Sequence, residues 1–172
     1  MPLYFAYGSN MSVADMARRC PASRPLGPAR LMRHRFFIMA SGYASVARDP
    51  VRCVHGLLWE LALADVRALD VYEEIARGLF FKATQPVITA RGAKRALIYI
   101  GARSEAGPPL PGYMEGVLAA ATAWRLPAAY LRELAAFALR TAAGAAEASL
   151  KSPGGPVRPR DRKSTRLNSS HG

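Results

Sequence analysis

The apolar positions of the chain fall into short runs separated by glycine, proline and serine. Residues 3–7 form an apolar, aromatic-rich run that stops at Gly8, the pattern of a buried strand. Ser12, with Asp15 three residues later, resembles a capping box and predicts a short helix through about Arg19. The proline-rich stretch 21–28 is expected to be a loop. Runs at 35–40 and 44–47 predict two strands joined at Ser41-Gly42, and 53–61 predicts another. Over 64–73 the spacing becomes helical, with Val66, Leu69 and Glu73 on one side. Segments 80–89 and 95–100 predict a β-hairpin across Arg91-Gly92, followed by a Pro/Gly loop at 104–112. Two helices are expected over 113–124 and 127–140. The second has Pro127 in its first turn and Leu131, Leu134 and Ala138 as an apolar stripe.

Strands outnumber helices and do not alternate with them regularly. That pattern predicts an α+β fold with a mixed or antiparallel, barrel-like sheet and peripheral helices, and argues against a doubly wound one. Residues 1–141 are expected to form a single domain. From Ala142 alanine, glycine and proline dilute the pattern, so 142–160 reads as a weakly ordered tail. The final stretch, Asp161 to His171, matches the translation of a common sequencing-library adapter residue for residue, and 161–172 is set aside as an artefact.

Composition excludes several classes. No apolar run approaches the roughly 20 residues of a membrane helix, and the first residues carry no basic leader, so a cytoplasmic location is expected, with no membrane partner. Cys20 and Cys53 are too few for a disulfide framework. His34, His55 and His171 show no zinc-ligand spacing, and no metal or cofactor is expected. The formal net charge of +12 would suit a nucleic-acid partner, but the arginines are scattered and no basic run with interleaved aromatics precedes the tail, so no nucleic acid is expected.

Three features carry candidate chemistry. Tyr7-Gly8-Ser9-Asn10 joins a strand to a capped helix. It is either an ordinary turn or, with Gly8 permitting close approach and backbone N–H groups facing out, a seat for a small carboxylate. Glu73 follows Leu69 by four residues, which places a carboxylate on a buried stripe, a candidate general base. If the helix stops earlier, it is instead an exposed or capping acid. Tyr113, after Pro111-Gly112, either orients a ligand through its hydroxyl or packs at a helix start.

In order, Leu3-Tyr4-Phe5-Ala6-Tyr7-Gly8-Ser9-Asn10-Met11, then His55-Gly56-Leu57-Leu58-Trp59-Glu60, Leu69-Asp70-Val71-Tyr72-Glu73 and Gly78-Leu79-Phe80, then Pro111-Gly112-Tyr113 resemble the signatures of the γ-glutamylcyclotransferase superfamily, which includes the AIG2-like proteins. The resemblance runs over about residues 3–120. It implies a mixed β-barrel and the metal-independent cyclisation of a γ-glutamyl group to 5-oxoproline with release of an amine or amino acid. By position it makes Glu73 the acid/base, Tyr7, Gly8, Ser9 and Asn10 the cradle for the γ-glutamyl end, and Tyr113 an auxiliary pocket residue. Two departures stand out: Glu74 occupies a position that is usually glycine, and the third motif lacks its serine. The expected partner is a small γ-glutamyl substrate. The alternative is a non-catalytic module of the same fold that binds an amino-acid-like ligand.

Overall fold

A computed structural model describes residues 1–150, with side chains through Arg140. Five strands close into a barrel: β1 (Leu3–Ala6), β2 (Arg24–Ile38), β3 (Ala44–Glu60), β4 (Phe80–Thr89) and β5 (Gly92–Gly101), in the order β1-β3-β2-β4-β5. The short β1 closes the ring. It runs antiparallel to β3, with Leu3 opposite Glu60 and Ala6 opposite Leu57, and parallel to β5 at Tyr4 and Leu97. The sheet is therefore mixed, as the strand-rich pattern predicts. Four helices surround it: α1 (Val13–Arg19), α2 (Leu63–Tyr72), α3 (Tyr113–Ala123) and α4 (Ala128–Leu150). Phe5, Leu31, Val54, Leu57, Ile98, Met114, Val117 and Leu134 belong to one buried core joining the barrel interior to α3 and α4.

The expected loop at 21–28 is corrected. β2 begins at Arg24 and pairs with β3 from Arg24–Glu60 onward. Here β2 has a neighbour on one side only, because β4 meets it only at Ala29 and Arg30. Pro25 and Pro28 therefore sit on a largely unpaired edge, where a missing N–H costs little, and the register shifts between Pro25 and Gly27. The separate strands expected at 44–47 and 53–61 are one strand. Asp49 to Arg52 bulge opposite Arg33, whose φ is +57°, and Asp49 Oδ1 accepts from the Val51 and Arg52 N–H groups. Helix α4 passes the expected end at Arg140 and continues to Leu150, into the segment read as a weakly ordered tail. The remainder of 142–160 beyond Leu150, and the adapter-like 161–172, lie outside the described residues.

Two acids, the buried Asp65 and the partly exposed Asp70, fix the helix that matters most for the site. Asp65, 6% exposed in the first turn of α2, accepts from Ala22 N at 3.0 Å and Ser23 Oγ at 2.7 Å. This ties the start of α2 to the segment leaving α1. Further along α2, Asp70 accepts from the Tyr99 hydroxyl and, at 2.8 Å, from Lys82 Nζ. The start of the helix is thus pinned to the α1–β2 connection and its end to the barrel, and a carboxylate with a charged or hydroxyl donor is a strong pin.

Candidate active site

The end of β1 runs directly into the site. Ser9–Met11 form one 3-10 turn, closed by Met11 N to Gly8 O at 3.1 Å, and Asn10 is buried at 2% exposure. Half of the expected capping box forms: Ser12 Oγ accepts from Asp15 N at 3.2 Å and starts α1, while Ser12 N–H bonds to Ser9 O and the Asp15 carboxylate accepts from Arg18. The cavity takes Gly8, Ser9 and Asn10 into its wall but not the first turn of α1.

Helix α2 stops at Tyr72, and Glu73 is its C-cap, with its N–H bonded to Leu69 O at 2.9 Å. The helix therefore ends one residue short of the acid, yet Glu73 keeps the side of α2 that carries the buried Leu69. The chain then turns sharply at Glu74, which is in the left-handed region at φ +52°. This turn gives the two acids different partners. Both are half-buried and line a cavity of about 640 Å3, but Glu73 faces Asn10 while Glu74 pairs with the exposed Arg77, Nη1 to Oε1, at 2.6 Å. The left-handed backbone also gives a physical reason for a glycine preference at position 74.

Asn10 and Glu73 meet. Asn10 Nδ2 donates to Glu73 Oε1 at 3.2 Å and to Tyr4 Oη at 3.1 Å, and Asn10 Oδ1 accepts from Arg19 Nη1. Ser9 Oγ lies 3.1 Å from Tyr72 Oη. Tyr113 reaches the cavity from the start of α3, and its hydroxyl accepts from Ala44 N at 3.3 Å. A methyl group on Gly8 would lie 2.9 Å from that hydroxyl, so glycine leaves the room that Tyr113 uses. Tyr7 lines the same cavity but donates its hydroxyl to Tyr99 O, which makes it a wall rather than a free donor. All six residues singled out in the sequence therefore line one cavity.

Removal from water pushes the Glu73 carboxyl up to about 7, with the Arg19 charge pulling the other way. Near neutral pH such a group both takes and returns a proton. The hydroxyls of Tyr4 and Tyr7 are pushed well above the ordinary tyrosine range by burial, and next by the Glu73 charge. Tyr113 is raised chiefly by burial, and Tyr99 by burial and then by its bond to Asp70. These four phenols stay protonated and surround the acid with neutral dipoles.

Sequence reasoning did not single out Tyr4, Tyr72, Tyr99, Arg19 or Asp70 as contributors. Tyr4, Tyr72 and Asp70 lie inside the signature segments but have no chemistry of their own until the fold brings them together. Arg103, from the loop after β5, also lines the cavity. Among the described residues no group of histidine, cysteine, aspartate or glutamate could hold a metal ion, and no helix is long and apolar enough to cross a membrane.

A small closed mixed barrel, with one acid of raised pKa facing a strand-to-turn loop, defines a class, and comparison with known proteins places it. The AIG2-like family model matches residues 53–134. Human γ-glutamylcyclotransferase is 27% identical over 145 residues, covering 78% of this chain and 77% of its own. A solved γ-glutamyl cyclotransferase superposes with a TM-score of 0.73 at 26% identity, covering 78% of this chain and 86% of that one. The YkqA protein of Bacillus subtilis, at 21% identity and a TM-score of 0.67, shares the fold and covers 77% of this chain and 52% of its own. The chain is thus similar to the γ-glutamylcyclotransferase-like superfamily, which includes the AIG2-like proteins.

Proposed function

We propose that this protein cyclises a γ-glutamyl group to 5-oxoproline and releases the attached amine or amino acid, with Glu73 as the proton carrier. The substrate's α-amine nitrogen attacks its own γ-carbonyl carbon, a five-membered ring closes, and the original γ-amide C–N bond breaks. Glu73 takes the proton that the attacking amine loses and delivers it to the departing nitrogen, so it ends as it began. Because the two reacting groups are already tethered, holding the bent conformer supplies much of the advantage, up to roughly 7–11 kcal/mol in well-oriented cases. Proton transfer adds about 10²–10⁴-fold. The Gly8–Asn10 loop and the Tyr113 hydroxyl form the cradle. The cavity of about 640 Å3 falls within the range of small-molecule sites. Its partner on this reading is a small γ-glutamyl compound, with neither nucleic acid nor membrane involved, and its compartment the cytoplasm.

The observation that carries this reading is the half-buried Glu73 held by Asn10 in one cavity with the Tyr7–Asn10 loop. The test is 5-oxoproline release from a panel of γ-glutamyl amino acids, amines and lysine side-chain conjugates. Glu73→Gln is expected to lower kcat by at least about 100-fold with the fold intact, and Glu74→Gln to have a smaller effect. Full activity in Glu73→Gln removes the assignment. Binding of the panel by the unmodified protein without 5-oxoproline release points instead to the ligand-binding module.

A further inference from the structure

Arg19, the last residue of α1, has no evident surface role. It is half-buried and makes no ion pair with any carboxylate among the described residues, whereas its neighbour Arg18 is exposed and paired with Asp15. Its guanidinium lies 3.7 Å from the centroid of the Tyr72 ring and donates to Asn10 Oδ1. Tyr72 precedes Glu73, and its hydroxyl is 3.1 Å from the hydroxyl of Ser9, which precedes Asn10. The contacts therefore close a ring through the end of α1, the 8–10 loop and the end of α2, with Glu73 held at Asn10.

An amide can face a carboxyl group in two ways. With its carbonyl oxygen toward Glu73 it would accept from the protonated acid and repel the carboxylate. With its nitrogen toward Glu73 it donates to the carboxylate. Arginine has donors only, so a guanidinium against Asn10 can be met only by Oδ1, and Nδ2 is turned to Glu73 and Tyr4. The second arrangement is the one the structure holds.

We propose that Arg19 is a positioning residue of this site: by holding Asn10 Oδ1 it makes the carboxamide a donor to Glu73 and so keeps that carboxylate usable in a desolvated seat. The proposal rests on Glu73 carrying the proton. The other groups facing Glu73 are the hydroxyls of Tyr4 in β1, Tyr7 just after it, Tyr99 in β5 and Tyr113 in α3, all held neutral by burial. Glu74, paired with Arg77, lines the same cavity, as do Arg103 and Glu105. Arg19 is the cation whose charge acts on Glu73.

The test uses the full chain with Arg19→Met, Arg19→Gln and Arg19→Lys. Two readouts are followed across pH: kcat/KM for a γ-glutamyl dipeptide, and the carbon-13 NMR titration of the Glu73 carboxyl, assigned by its loss in Glu73→Gln. Arg19→Met is expected to move both midpoints to higher pH by about one unit, so kcat/KM falls roughly tenfold more near pH 6 than near pH 9. Arg19→Gln, which keeps a donor for Oδ1 without the charge, moves them the same way by less. Arg19→Lys, which keeps both, stays within about 0.3 units of the unmodified protein. Unmoved midpoints in the Met and Gln variants, even with lower rates, mean that Arg19 only packs, and overturn the proposal. If Arg19→Met does not fold, Arg19→Gln decides alone. The NMR midpoint moves whether or not 5-oxoproline is the product, so loss of the reaction assignment and loss of this proposal remain distinct results.

Discussion

A carboxyl group held out of water should destabilise the protein that holds it once it ionises, and here the size of that effect can be worked out. The carboxyl of Glu73 ordinarily releases its proton near 4.5, and in the folded protein it does so near 7, chiefly through desolvation. Between those values the folded state binds more protons than the unfolded chain. Stability therefore falls as pH rises through that window, with the whole cost present above about 7 and none below about 4.5. At about 1.4 kcal/mol for each tenfold step, the cost of the charged form is about 3 kcal/mol. Glu73→Gln removes it. Glutamine has nearly the same shape, keeps an oxygen for Asn10 Nδ2, and cannot ionise. Near pH 8 the variant should be more stable by up to about 3 kcal/mol, which for a chain of this size raises Tm by roughly 6–10 °C. Near pH 4 the two proteins should melt within about 2 °C of each other. Calorimetric melting of both proteins at several pH values and constant ionic strength measures this directly. A Tm difference that is the same at both pH values, or absent at both, refutes the reasoning, because Glu73 would then titrate as it does in water.

Three further substitutions probe the frame around the acid. Gly8→Ala places a methyl group 2.9 Å from the Tyr113 hydroxyl, a movable side-chain end, so Tm should change by only about 2–4 °C while KM rises as Tyr113 is displaced; an unchanged KM removes Tyr113 from the binding wall. Gly56→Ala places a methyl group 2.3 Å from the backbone oxygen of Ala6 and 2.8 Å from the Phe5 ring, where β1 and β3 pair and neither can yield; a loss of about 3 kcal/mol or more is expected, read as reduced soluble yield and a Tm drop beyond about 6 °C, and an unchanged Tm contradicts the tight β1–β3 approach. Glu74→Gly relieves a left-handed residue that costs about 1–2 kcal/mol, against the greater chain entropy of glycine and one exposed ion pair with Arg77; Tm should rise by about 1–3 °C with kcat unchanged, and a loss of activity would give Glu74 a role in the chemistry.

The elements with a single strong local cause are legible in the sequence. Ser12 accepts from Asp15 N to cap α1 where the spacing predicts a helix start, and the β4–β5 hairpin forms as expected but turns at Ala90-Arg91, one residue before the expected Arg91-Gly92, with Gly92 already paired to Thr89. The mixed barrel follows from many strands with no regular helix between them. What misleads is proline. A proline-rich stretch reads as loop because proline cannot serve a strand with neighbours on both sides, but β2 leaves one side open at Pro25 and Pro28, and pairing on the other side decides the outcome. The same holds at Pro50, where Asp49 takes up the N–H groups of a bulge and lets one strand continue through it.

The candidate site is legible in its acid and its loop, but its environment is not. Helical spacing puts Glu73 with Leu69, and that relation survives although α2 ends at Tyr72, because the Glu73 N–H still closes the last turn on Leu69 O. Whether that acid is a useful base depends on what surrounds it, and those groups come from β1, α1, β5 and α3. Arg19 shows the difference most plainly. In the sequence it is one of two adjacent arginines closing a short amphipathic helix, and nothing in its spacing distinguishes it from Arg18. In the fold a rotation of about 100° between consecutive helical residues sends Arg18 to solvent and Asp15, and Arg19 inward to Asn10 and the Tyr72 ring. The buried-side acid caps one helix, the amide bonded to it lies on a loop, and the cation bonded to that amide ends another helix. No single segment carries the chemistry, so the chain can specify it only by first closing the barrel that brings the three together.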